Sequence, residues 1–208
     1  RVLLRTQEDY QLELKNFVFS WEKAQRILAL GITSGLQHAI FAMANLFIQS
    51  AVNTFSAAVV EGNSAAANAD SLVYEVMAAP YTACSTFISQ NYGAHNKERI
   101  QKAYRVSLVY SFGVGAVLGL ALMFFGGGFL RIFTPDPEVI AAGMEKLHIM
   151  GWSYAFSAFM DNSLAASRGL GKSAVPVAIV ILGSCVFRVI WVYTIFAMFH
   201  TLTSLYLL

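Results

Sequence analysis

Long apolar runs with few or no charges dominate the chain, and each is about as long as a bilayer is thick. A membrane helix needs about 20 mostly apolar residues. Residues 27–60 carry no Asp, Glu, Lys or Arg, which is more than one span requires, so part of that run is a loop, a bend or an extended helix. A second run covers 72–91, with Glu75 near its start and Pro80 inside, and a third, 106–130, is charge-free. The fourth, 147–167, contains Asp161; the fifth, 174–199, contains Arg188; a sixth begins near Leu202 and would stop short. Strands of a membrane barrel are much shorter and alternate; these runs do neither. The pattern predicts an all-α polytopic membrane protein with five complete transmembrane helices plus the start of a sixth. The stretch Thr134 to Glu138, TPDPE, predicts a turn and a helix start at Pro137.

The first run is not uniformly apolar. Ser34, His38, Asn45, Gln49, Asn53 and Ser56 recur at spacings that put them on one helical stripe about 100° wide, with Gln37 at its edge. Amides facing lipid are costly, so the stripe faces protein or water. It either forms interhelical hydrogen bonds or lines a cavity that meets substrate. Asp161 sits about two turns from the end of the fourth run, with Ser157 and Tyr154 on the same face. An intramembrane carboxylate is a functional-site candidate by default; the alternative is a structural ion pair or hydration from the inner surface. Glu75 reads as interfacial. Arg188, nearer the middle of its span, must find a carboxylate, carbonyls or water, and both residues are candidates for structural ion pairing.

Composition agrees with lipid as the solvent. Of 208 residues, 57% are hydrophobic and 12% are charged, about half the charge of a soluble domain. The net charge of +2 is too small for a nucleic-acid footprint. Distribution tells more than the total. The flank before the first run (Arg1, Arg5, Lys15, Lys23, Arg26), the loop after the second (Lys97, Arg99, Lys102, Arg105) and the loop after the fourth (Arg168, Lys172) fall on one side of the membrane. The other side has only Arg131 and Lys146, and its loops are acidic, with Glu61, Asp70, Asp136, Glu138 and Glu145. The positive-inside rule then makes the amino-terminal end cytoplasmic, in a plasma membrane, bacterial inner membrane by expectation.

Several chemistries lack their residues. Cys84 and Cys185 lie apart in apolar runs and read as packing residues. Gly171-Lys172-Ser173 is similar to the end of a phosphate-binding loop, but that loop needs glycine where this chain has Ala166, and no strand precedes it. No HExxH, GxSxG or Cys/His cluster is present, so nothing in the sequence supports an enzyme, a metal centre or a cofactor. Gly115 and Gly119 form a small-xxx-small pair, with Gly126, Gly127 and Gly128 beyond it; these favour close helix packing. Arg1 to Arg26 mixes charges with Leu, Phe and Trp, as a surface-lying helix or a linker would. With Arg first and an apolar SLYLL stretch last, the chain reads as part of a longer polypeptide.

Two loops resemble those of the multidrug and toxic compound extrusion (MATE) family. QNYGAHNKERI, Gln90 to Ile100, resembles its Gln-x-x-Gly-Ala pattern followed by a basic loop. SRGLGKSAVP, Ser167 to Pro176, resembles its Arg-Gly-x-Gly turn with Pro at the start of the next helix. GITSGLQ, Gly31 to Gln37, is similar to the opening of the carboxy-terminal lobe, with Thr33 in place of the usual Pro. The resemblance covers nearly the whole chain. It implies one lobe of a twelve-helix, two-lobe transporter: residues 1–26 as the cytoplasmic inter-lobe linker and 27–208 as the carboxy-terminal six-helix lobe, its last helix incomplete. The partners implied are the amino-terminal lobe of the same polypeptide, a small-molecule substrate and the lipid bilayer. Also implied are alternating access and exchange of amphipathic, often cationic drugs or metabolites for Na⁺ or H⁺. The family's acidic position on the fourth helix of the lobe falls at Ser157 here, with Asp161 one turn closer to the Arg-Gly turn; the facing positions on the first helix are the amides Asn45 and Gln49. Asp161, Tyr154, Ser157, Gln37, His38, Asn45, Gln49 and Asn53 are the expected substrate and ion contacts. The rival readings are a lipid-linked oligosaccharide flippase of the same superfamily, which would want a more basic cavity, and a non-transporting membrane scaffold or receptor.

Overall fold

The structure, a computed structural model, describes residues 19–207. The expectation of a linker or surface helix over residues 1–18 lies outside them. The described residues fold into helices α1 (Trp21–Val52), α2 (Ala57–Gly93), α3 (Lys97–Leu130), α4 (Pro137–Gly169), α5 (Ala174–Phe199) and a short α6 (Leu202–Tyr206). Residues 21–26 are thus continuous with α1. The first four helices have 32, 37, 34 and 33 residues. At about 1.5 Å per residue, each outlasts a hydrocarbon core of about 30 Å by several turns.

That excess length corrects the expected boundaries. The first apolar run is two helices: it breaks at Asn53–Ser56, where Asn53 caps α1 and Ser56 opens α2. The second helix therefore starts at Ala57, not near Leu72, and Glu61 and Asp70 lie within it rather than in an outer loop. Lys97–Arg105 likewise form the first turns of α3. Charges do not end a helix where its turns have cleared the apolar core. Lys146 also leaves the outer loop for the interior of α4.

Local chemistry sets the ends that were expected. Asp136 accepts a hydrogen bond from Glu138 N (2.9 Å) with Pro137 in the first turn, so TPDPE starts α4 as predicted. Asn96 caps α3 by accepting from Arg99 N (3.1 Å). Gly171, at φ +71, turns the chain between α4 and α5, a conformation that favours glycine.

α2, α3 and α4 pack as a triad; α1 and α5 pack on one another, α5 meeting the triad through α4 and α1 through α2. α1, α3 and α5 hold apolar windows long enough to cross a membrane. α2 and α4 match them in length, but carry charges on the faces they turn toward each other. Backbones approach closely where the sequence supplies glycine. A Cβ at Gly115 would lie 2.9 Å from Tyr154 O, one at Gly62 would lie 2.6 Å from Val139 O, and one at Gly119 would collide with Gly151 O. Gly119→Ala is therefore expected to destabilise the protein by about 1–3 kcal/mol. Gly128→Ala, with nothing within 4 Å, should be near neutral. Thermal unfolding in detergent reads the difference, and equal melting of the two variants would refute the packing.

Candidate functional site

The inner face of α4 organises the polar interior. Lys146, Tyr154, Ser157, Asp161 and Arg168 fall on one side of the helix, because their spacings sum to near-whole turns. They divide into two nodes.

At the first node, Lys146 Nζ lies 2.8 Å from Asp70 Oδ2 on α2, with the two side chains 10% and 15% exposed. The Tyr154 hydroxyl donates to the other oxygen, Asp70 Oδ1. Tyr74, one turn along α2 from Asp70, packs edge-on against the Tyr154 ring at 5.7 Å. The carboxylate thus has a charge partner and a hydroxyl partner, as a buried charge requires.

Asp161 forms the second node. Its Oδ2 is buried and has no hydrogen-bond partner among the described residues. Arg168 lies two turns further along the same side of α4. That guanidinium turns to α1, where its Nη2 donates to Gln37 Oε1 at 2.7 Å, and its Nε is buried without a partner among the described residues. Arg188 Nη1 on α5 donates to Asn45 Oδ1 at 3.2 Å. Arg188 lies in a short α-helical stretch between π-helical segments at Ile181–Val186 and Val192–Phe196. Such wide turns recur where a helix serves a site.

The expected residues are only partly brought together. Gln37 and Asn45 meet the arginines of α4 and α5, while Gln49 accepts from Asn63 Nδ2 (3.3 Å) and donates to Asn53 Oδ1 (3.0 Å). Interhelical hydrogen bonding therefore accounts for much of the amide stripe. His38 is exposed, and Ser56 sits beyond the end of α1 and leaves the stripe. Tyr154 is fully buried and its hydroxyl is committed to Asp70, so it serves the first node. Ser157 Oγ donates to Tyr154 O at 2.8 Å, so its hydroxyl is spent within α4. Glu75 and Arg188 form no ion pair among the described residues: Glu75 is an exposed mid-helix residue of α2, and Arg188 is engaged by Asn45. No three His, Cys, Asp or Glu side chains among the described residues converge on a metal-sized site.

Sequence reasoning missed Asp70, Lys146, Asn63 and Arg168 as interior residues, and Tyr74 as the ring that packs on Tyr154. A signal for three of them existed. Asn63, Asp70, Tyr74 and Tyr81 recur at gaps of seven, four and seven, a single helical stripe that continues upstream of Leu72.

Comparison with known proteins places this arrangement. The MatE family pattern matches residues 34–194. The probable multidrug resistance protein YpnP of Bacillus subtilis is 28% identical over 151 residues, 72% of this chain and 34% of that protein. The probable multidrug resistance protein NorM of Thermotoga maritima is 24% identical over 172 residues, 83% of this chain and 37% of that one. In fold, a solved MOP superfamily transporter from Pyrococcus furiosus superposes with a TM-score of 0.87 at 21% identity, covering 99% of this chain and 47% of that chain. The chain belongs to the MatE family, the multidrug and toxic compound extrusion transporters whose loops it resembles. It spans about a third of the length of these curated relatives and about half that of the solved transporter.

Proposed function

We propose that this chain is the carboxy-terminal lobe of a secondary antiporter that exports amphipathic, often cationic drugs or metabolites in exchange for Na⁺ or H⁺ by alternating access. One observation carries the reading: a carboxylate oxygen of Asp161, inside a membrane helix, is buried with no hydrogen-bond partner among the described residues. Low dielectric penalises a bare charge, and a bound cation relieves it. A proton, Na⁺ and a cationic substrate then compete for one negative charge, and each occupant favours a different arrangement of the two lobes. The amino-terminal lobe closes the cavity from the other side. Transport by the full-length parent under an imposed ion gradient, with Asp161 intact and replaced, tests this directly.

A second reading has its own support. Arg168 and Arg188 both reach the amide face of α1, and two guanidinium groups suit a phosphate-bearing lipid-linked sugar. Competition of such an anionic lipid with drug transport, abolished by Arg188→Gln, would favour the flippase.

The membrane is the plasma membrane, with the amino-terminal end of the chain and the α2–α3 and α4–α5 turns in the cytoplasm. Burial of Lys146 leaves Arg131 as the outer basic residue, which widens the asymmetry. Lys97, Lys172 and Asp136 are exposed. In a cysteine-free parent, Lys97→Cys and Lys172→Cys should react only from inside and Asp136→Cys from outside. External labelling at position 97 in sealed cells would reverse the orientation.

A further inference from the structure

Along α2 and α3, away from the polar nodes, runs a groove that the transport reading does not use. Its first compartment, about 620 Å³, has Gln90, Asn91, Arg99 and Lys102 at the end toward the α2–α3 turn. Phe87, Val106 and Tyr110 form apolar walls below them. Tyr110 also borders a second compartment of about 420 Å³, lined by Val76, Val109, Val114, Val117 and Leu118. The groove is therefore cationic at one end and apolar along the rest. Arg99 and Lys102 have no carboxylate within ion-pair distance among the described residues, and Glu98 does not line the groove. Large apolar groups stand bare along it, Tyr110 at 65% and Val117 at 66% exposed.

We infer that this groove is a binding site for one anionic phospholipid, its phosphate held by Arg99 and Lys102 and an acyl chain laid past Tyr110 toward Val117. Three observations select that occupant. From Lys102 to Val117 the helix rises about 22 Å at ~1.5 Å per residue. One leaflet with its headgroups is about 20–22 Å deep. The charge lies at the headgroup end only, where basic pockets between helices hold anionic headgroups. The sign of that charge repels a cationic drug, so the groove is no second site for the proposed substrate. The inference rests on the proposed topology only in assigning the lipid to the inner leaflet; lipid retention in detergent is read without reference to sidedness or transport.

The test is native mass spectrometry of the purified full-length parent, mixed with phosphatidylglycerol or with phosphatidylcholine of the same chains. The wild type should retain phosphatidylglycerol in preference. Removing both charges, Arg99→Gln with Lys102→Gln, should weaken that retention roughly tenfold or more. Val106→Trp, which fills the groove and leaves the charge, should do the same while circular dichroism stays unchanged. Excess inorganic phosphate should not displace the lipid. Equal retention of the two lipids by the wild type overturns the proposal, even where a variant fails to fold. So does full displacement by phosphate, which would mark a simple anion site, or retention of phosphatidylglycerol by folded variants. A lipid-free dimer that buries the groove would assign it to a second copy instead.

Discussion

In the full-length parent, Asp161→Asn is expected to insert and fold as the wild type does, yet to lose ion-driven efflux. The replacement keeps the size of the side chain and removes the charge for which cations compete in the proposed exchange. Because Oδ2 has no hydrogen-bond partner among the described residues, few contacts are lost and folding is preserved. What is lost is the differential affinity by which one occupant displaces another. Coupling between ligands typically amounts to about 5- to 150-fold in affinity. Efflux per transporter should fall by a factor in that range, with expression matched by quantitative blotting. Asp161→Glu restores the charge and should recover part of it. A resistance level in cells equal to wild type for Asp161→Asn would make the carboxylate structural.

Lys146→Met should have the opposite character, a large loss of stability. Asp70 is held by the Lys146 ammonium at 2.8 Å and by the Tyr154 hydroxyl. Without Lys146, a mostly buried carboxylate keeps one neutral donor and no counter-charge. Breaking one side of a buried pair costs about 3–5 kcal/mol. Removing both charges does not: Asp70→Asn with Lys146→Met leaves an amide oxygen for Tyr154 and an apolar stem where the lysine ran. The double variant should recover most of the loss in detergent melting experiments. A single variant as stable as wild type would mean that the pair does not hold α2 to α4.

These two carboxylates also show what the sequence makes legible. Asp161 stands out because it interrupts an apolar run, and its place two turns from the end of α4 is where the run predicts it. Asp70 lies only two residues before the second apolar run, so hydropathy assigns it to a loop. In the structure α2 begins at Ala57, since its early turns are rich in alanine and pack against α4 at Gly62, and hydropathy does not register small residues that bury backbone. The α5 boundaries, 174–199, and the Pro137 start were readable because apolar length and capping chemistry are local. Pairing was not. Nothing in the spacing of the amide stripe says that Gln37 would meet Arg168, or Asn45 would meet Arg188, from helices more than 100 residues later. Those contacts depend on how α1 and α5 settle on α4, a tertiary fact.

The central claim, that Asp161 is where the driving cation and the exported cation compete, is tested most directly in proteoliposomes. The full-length parent, wild type and Asp161→Asn, is reconstituted at equal density, a Na⁺ or H⁺ gradient is imposed, and flux of a cationic fluorescent drug is followed. The account predicts gradient-driven flux for the wild type and only the gradient-independent background for Asp161→Asn. Wild-type gradient-driven flux in the variant would contradict it and would move the coupling site to the other lobe.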